Sequence, residues 1–392
     1  MSGKTGEFGT VPKKLRIFQV ISARANSSIA ANRTWYRNLY EPLIEMGHEV
    51  VLFPADEGEL AMERRDKELC ADFSQKLLDK YQQKHTRKPF DLFFAYLKEG
   101  MVESGVIERI GKTGVPTCNF SCNNTHQFYL VEQLSPQFNY NLHSEKDAGD
   151  KFLKIGANPV WWPMASNPTY FRPENHKRTI DISFVGGNYG IRSRYINYLL
   201  QKGVNVHAYG PGWQGGAKTP FRSAAKRYLY IMQSLCSRQI KDQARASAKL
   251  ADHDLRRLVG KLFPSNVHPP VSDTELISLY SKSKINLGVL DVHDDHDPIS
   301  GVLRHLHLRE FEAPMCGALY CTGYSEELAE MFEPDKEVLT YLDEGELLDK
   351  VKYYLKHNDE GESIRIAGRR RALRDHTYQR RFNQLFEKIG LS

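Results

Sequence analysis

No apolar run in the 392-residue chain approaches the roughly 18 residues needed to span a bilayer, so nothing in it reads as a membrane-crossing helix. The opening MSGKTGEFGTVPKK has no apolar centre and reads as a tail outside the fold, not as a secretory signal. Cysteine is scarce. Cys70, Cys118, Cys122, Cys236, Cys316 and Cys321 are too few for a disulfide framework, and without an export signal they are expected to stay reduced in the cytosol. The pairs Cys118/Cys122 and Cys316/Cys321 lie in apolar, strand-like contexts and read as small buried hydrophobes rather than zinc ligands. No Gly-x-Ser-x-Gly elbow, Walker loop or Gly-x-Gly-x-x-Gly follows a strand, which argues against hydrolase, NTPase and dehydrogenase chemistry.

A surplus of one charge is also missing from most of the chain. The net charge is +6, yet Phe221 to Phe263 alone carries ten Lys or Arg against three acids, so the remainder is close to neutral. Apolar residues in that segment, from Phe221, Ala225 and Tyr228 onward, recur at helical spacing and predict two basic amphipathic helices. Such a surface suits an anionic membrane face, a polyanionic acceptor, a homo-oligomer contact or a solvated hairpin. No specific nucleic acid is expected, and the location is read as cytoplasmic, with peripheral attachment at the inner membrane face as the variant the basic segment offers.

What is abundant is alternation of buried strands and amphipathic helices. Leu15 to Ile21 is an apolar, β-branched run of the kind that forms a first parallel strand. Trp35, Leu39, Leu43 and Met46 follow at helical spacing, with Thr34 as N-cap and Gly47 as stop, and EMGHEVVLFPA returns as a strand. Glu59 to Lys84 reads as one helix, and strands are expected at 90–96, 115–120, 138–143 and 160–164. After a Pro- and Asn-rich junction at 163–177 the pattern restarts at Ile180 to Val185 and continues to a long helical stretch, Ile364 to Leu391. The fold class is therefore α/β, with two Rossmann-like domains: a tail at 1–14, a first domain at 15–165, and a second at 166–375 interrupted by the helical insert 221–263. Residues 376–392 form a terminal helix able to cross back to the first domain.

Ligands in open α/β sheets sit beyond the carboxyl ends of strands, which selects the candidate residues. Gly186 and Gly187, with Asn188, join a strand to a helix whose first turn carries Arg192 and Arg194, a layout that lets backbone amides and guanidiniums hold a phosphate. The strand ending at Tyr209 runs into Gly210 and Trp213. Ile285 to Leu290 runs into His293, Asp294, Asp295, His296, Asp297 and Pro298, then Gly301, Arg304, Arg309 and Glu312 at a helix start. Adjacent residues in an irregular loop rarely converge on one ion, so this His/Asp run reads as hydrogen-bonding to a polar substrate rather than as a metal site. Arg304 and Arg309 suit an anion, and a carboxylate such as Glu312 suits a ribose. In the first domain, His126 beside Asn123 and Asn124 is the general-base candidate.

Taken together, DISFVGG with Arg192 and Arg194, the strand SKINLGV, the run Arg309-Glu310-Phe311-Glu312 with Ala313 and Gly317, the Phe332-Glu333-Pro334 turn, the tail IAGRRRALRDHTYQRR and the junction WWPMASNPTYFRP resemble the CgeB-like, group-one-like glycosyltransferases. The resemblance covers the C-terminal half well and the N-terminal half in outline. It implies the GT-B fold, two Rossmann-like domains facing a cleft, and transfer of a sugar from a nucleotide-sugar co-substrate of uridine diphosphate type, with no further cofactor. The acceptor would be a glycan, a lipid-linked species or a protein. In related retaining enzymes two glutamates lie eight positions apart; Glu312 matches the second and Arg304 stands at the first, so that mechanism does not carry over as it stands. Catalysis is then expected from His126, Asn124, Arg304 and Glu312 without a metal. The donor is expected on Gly186, Gly187, Asn188, Arg192, Arg194, Tyr209, Gly210, Trp213, His293, Gly301, Arg304, Arg309 and Glu312. The competing readings are a non-catalytic polyanion- or membrane-binding scaffold on a degenerate transferase fold and a sugar-nucleotide epimerase.

Overall fold

β1 (Arg16–Ile21) is buried along its whole length, and its side chains alternate between two cores. Phe18 and Val20 pack with Phe73, Leu77 and Tyr81 on one face, while Ile17 and Ile21 pack with Leu39, Leu43 and Phe94 on the other. A strand covered on both faces needs helices on both sides of its sheet, which is why the run shows no polar alternation. The computed structural model describes residues 13–23, 33–214, 255, 258–293 and 302–392.

The first sheet adds β2 (Glu49–Pro54), β3 (Leu92–Ala95), β4 (Thr117–Ser121), β5 (Tyr140–His143) and β6 (Pro159–Trp161). All pairings are parallel, in the order β2-β1-β3-β4-β5-β6. The second sheet contains β7 (Ile180–Val185), β8 (Val206–Tyr209), β9 (Val267–His268) and β10 (Ser283–Leu287), followed beyond a hairpin by β13 (Tyr320–Gly323) and β14 (Leu339–Tyr341). It too is parallel, in the order β14-β13-β10-β7-β8-β9. The hairpin is β11 (Asp291–His293) paired antiparallel with β12 (Val302–Arg304). Two six-stranded parallel sheets with helices agree with the α/β, two-domain expectation.

Three local expectations are corrected. The stretch read as one helix from Glu59 is two, Asp56–Arg64 and Lys67–Arg87, because Arg65 turns left-handed at φ 54° and Asp66 caps the second helix through Leu69 N. The long C-terminal helix is likewise two, Asn358–Asp375 and Tyr378–Lys388, with the Thr377 hydroxyl accepting from Arg380 N at the start of the second. Arg304 is in a strand rather than at a helix start. The insert 221–263 lies, apart from its last few residues, outside the described residues, as do Asp294 to Gly301. No helix among the described residues is long and apolar enough to cross a membrane.

The helix Tyr378–Lys388 packs on the first sheet: Tyr378, Phe382, Leu385 and Phe386 share a cluster with Ile17, Leu92 and Phe94. Trp162 Nε1 donates to Arg381 O at 2.9 Å and Gln379 Nε2 to Glu45 at 2.7 Å, which fixes that helix to the first domain. On the cleft side, Trp35 and Cys122 from the first domain pack against the cluster holding Phe311 and Leu276 of the second.

Candidate functional site

The loops after β7 and β8 are fastened backbone to backbone. Gly186 N donates to Tyr209 O at 2.8 Å and Asn188 N to Pro211 O at 2.9 Å. Gly210 has φ +146°, and a Cβ there would lie 2.4 Å from Gly186 O, so only glycine permits the approach. Trp213 is fully buried and its Nε1 donates to Gly186 O at 2.6 Å, holding the glycine turn from behind.

Gly186 is also where two guanidiniums converge. A Cβ built on it would meet Arg309 Nη2 at 3.1 Å and Arg192 Nη1 at 3.2 Å. Arg192 is buried, lies 3.8 Å above the Tyr189 ring, and donates through Nη1 to Gly187 O at 3.2 Å, while its Nε and Nη2 have no partner among the described residues. Burial, followed by repulsion from Arg309, pushes its pKa down to about 10. Among the described residues neither arginine has a carboxylate within ion-pair distance. A buried guanidinium beside a half-buried one, neither in an ion pair among the described residues, is an expensive arrangement and fits a site whose counter-ion is a ligand.

These groups line a cavity of about 400 Å³ between the domains, with Val185, Gly186, Gly187, Tyr189, Tyr209, Gly210, Pro211, Pro270, Val271, Tyr280, His307, Arg309 and Glu312 from the second domain and Thr34, Trp35, Arg37, Cys122 and Asn123 from the first. Glu312, on the helix Arg309–Met315, is buried, and burial raises its pKa against the opposing pull of Arg37 and then Arg309. Arg37 Nη2 lies 3.9 Å from Glu312 Oε1, and Arg37 also pairs with Asp273, whose other oxygen accepts from Tyr170 Oη at 2.7 Å. Deeper in, the His305 ring sits 5.2 Å from His126 and 4.5 Å from His307, centroid to centroid. Burial holds His305 neutral, its pKa driven to about 3, and drives that of His307 well below the usual imidazole range.

The structure thus gathers Gly186, Gly187, Tyr209, Gly210, Arg309 and Glu312 on one cavity wall, with Arg192, Asn188 and Trp213 directly behind the glycine turn. It turns Arg194 outward to pair with Glu344, away from the cavity. Arg304 is also away from it: Nε donates to Asp291 at 2.7 Å and the two Nη groups to the carbonyls of Tyr324 and Leu342, so its guanidinium is spent on bracing the β11–β12 hairpin. His126 is set back beside His305, and Asn124 is buried with its N–H on Glu145, leaving Asn123 at the cavity wall. The His293 side chain and Gly301 lie outside the described residues, so the expectations for them have no counterpart here. No cluster of three His, Cys, Asp or Glu positioned for a metal occurs among the described residues.

Several site residues escaped the sequence reading. Arg37 is buried inside a helix recognised only by its apolar neighbours. Glu145 is buried, and its two carboxylate oxygens accept the N–H groups of Asn123 and Asn124 at 2.6 and 2.9 Å, holding Asn123 in its left-handed turn. His305 and His307 alternate in the HLHL run immediately before Arg309, a signal that was available.

Two parallel sheets facing a cleft, with a glycine turn and two arginines at one wall, define the GT-B class. The chain superposes over 96% of its length on 99% of a sucrose-phosphate synthase from Thermosynechococcus elongatus, with TM-score 0.57 and 11% identity. It does so equally, over 96%, on 99% of Anabaena Alr3699/HepE solved with UDP and glucose, with TM-score 0.56 and 11% identity. An α-glucosyltransferase solved with UDP and a 13-mer DNA superposes over 96% of this chain and all of its own, with TM-score 0.58 and 12% identity. Comparison with curated protein sequences finds no significant match. A family model described as "Glycosyl transferase-like" matches residues 192–387, and the chain belongs to that family.

Proposed function

We propose that the chain transfers a sugar from a uridine diphosphate sugar to a glycan, lipid or protein acceptor, without a metal. The observation that carries this reading is the pair Arg192 and Arg309 meeting at Gly186 with no carboxylate within ion-pair distance among the described residues, and Glu312 lining the same cavity between the sheets. A diphosphate would take both guanidiniums beside the glycine turn, and those charges offset the negative charge that develops on the leaving diphosphate, the task a metal performs elsewhere. Glu312 would accept the ribose hydroxyls once Arg37 shifts, and the acceptor would enter over Asn123 and the adjoining first-domain loops. Domain closure would exclude water from the donor. UDP in the structures of two neighbours supports a uridine donor for this chain.

The test is thermal unfolding across a panel of nucleotide sugars, followed by chromatography of any UDP released. At a hundredfold excess over Kd a true donor stabilises the fold by about 2.7 kcal/mol. A panel in which no nucleotide sugar shifts the unfolding temperature would defeat the reading, and binding without any release of UDP, with or without acceptor, would favour a non-catalytic binder.

A further inference from the structure

His307 faces the donor site from a position none of the expected roles uses. It lines the cavity directly ahead of Arg309, its Nδ1 is 3.8 Å from a carboxylate oxygen of Glu310, and its Nε2 is buried with no partner among the described residues. The charged and titratable groups around it are His305 on the same run, Arg192 from the helix after β7, Arg309 and Glu310 from the following helix, and His126 from the first domain. Glu310 is held in place beside the ring: it accepts from Tyr320 Oη at 2.7 Å, from Thr322 Oγ1 at 3.3 Å and from His307 N at 2.6 Å.

We infer that His307 takes up a proton when a sugar-nucleotide diphosphate settles between Arg192 and Arg309, so that the leaving diphosphate is held by an imidazolium as well as two guanidiniums. This rests on the donor reading above. Burial, then His305 and the two guanidiniums, oppose a positive charge on His307 and hold its pKa well below the usual imidazole range. A pyrophosphate diester brings two negative charges to that place, cancelling the opposing field, while Glu310 is already set to pair with the Nδ1 side of the ring. The arginines cannot respond to pH near neutrality, so the imidazole is the group that does. The proton passes from hydronium or a buffer acid to the free ring nitrogen, leaving water or the buffer base, and returns to solvent when the product departs.

Isothermal titration of UDP-glucose and UDP-N-acetylglucosamine in buffers of different ionisation enthalpy reads the proton count directly, since neither ligand has a group of its own titrating near neutral pH. The expected result is net proton uptake at pH 7 and an affinity that rises by up to tenfold for each unit the pH falls, because the pKa is higher in the complex than in the free protein. H307Q, or H307N should the first fold poorly, is expected to bind more weakly with heats independent of buffer. Binding by the native chain with buffer-independent heats overturns the inference while leaving the donor reading intact. So does uptake that persists in both variants, which would assign the proton to a buried carboxylate or to His305. No binding of either sugar nucleotide, nor of any other in the panel, overturns both.

Discussion

The two walls of the cleft handle positive charge in opposite ways. On the C-terminal wall, Arg192 and Arg309 are crowded together, with Glu310 and Glu312 in the neighbourhood but no carboxylate within ion-pair distance among the described residues. On the N-terminal wall, Arg37 is just as deeply buried but is matched by Asp273 and Glu312, both reached across the domain boundary. On the proposed function the first arrangement is finished by a ligand, whereas the second finds its acids within the protein and ties the domains together. Burial of an arginine therefore says little about its role until the accounting of nearby acids is done.

The largest effect should follow from breaking the completed side. R37A leaves Asp273 and Glu312 buried without their cation and is expected to lower stability by about 3–5 kcal/mol in urea unfolding. Unchanged stability would mean the pair is not buried in solution. On the open side the expectation reverses. R309A should weaken uridine nucleotide binding on the order of a hundredfold by calorimetry, whereas R192M, which removes an uncompensated buried charge, should keep or raise the unfolding temperature of the empty protein while losing the nucleotide-induced shift. A large loss of stability in ligand-free R192M would erase the contrast between the walls.

The walls also meet away from the cavity, where Lys146 N and Trp161 Nε1 donate to Glu327 at 3.0 and 3.2 Å. Burial, with Glu145 and Asp147 nearby, pushes the Glu327 carboxyl up to about 7. The folded state therefore holds this proton more tightly than the unfolded chain does. Its contribution is full below the ordinary carboxylate range and disappears as pH rises through about 7, a change on the order of 2 kcal/mol. Denaturant midpoints of the native chain and E327Q should diverge between pH 5 and pH 8, with E327Q the flatter. The smallest effect belongs to Arg194, only two residues from Arg192 but exposed and paired with Glu344. R194A should alter stability by less than about 0.5 kcal/mol and leave nucleotide affinity unchanged.

Much of this architecture is written in local pattern. The apolar run Ile180–Val185 coincides with its expected bounds because a glycine pair follows it directly. The glycine turn with Arg309 and Glu312 was legible for the same reason: a strand end and a helix start place residues on one wall by short-range geometry alone. What was not legible depends on distance or on a missing marker. Arg65 breaks a helix in a conformation usually left to glycine, so no residue type announced it. Arg304 looked like an anion ligand because only the pairing of Val302–Arg304 with Asp291–His293 brings it to Asp291. Arg37 meets its acid 236 positions away, a relation that no window of sequence displays.

The helix Tyr378–Lys388 carries a consequence for how the molecule is made. Its aromatic side chains complete one face of the first sheet, against Ile17, Leu92 and Phe94. During synthesis that greasy surface stays bare until the second sheet, which precedes this helix in the chain, has been made, so the first domain is finished only after the second. The two domains are accordingly coupled in folding order as well as in space: the first keeps an uncovered apolar face for as long as the second is being made.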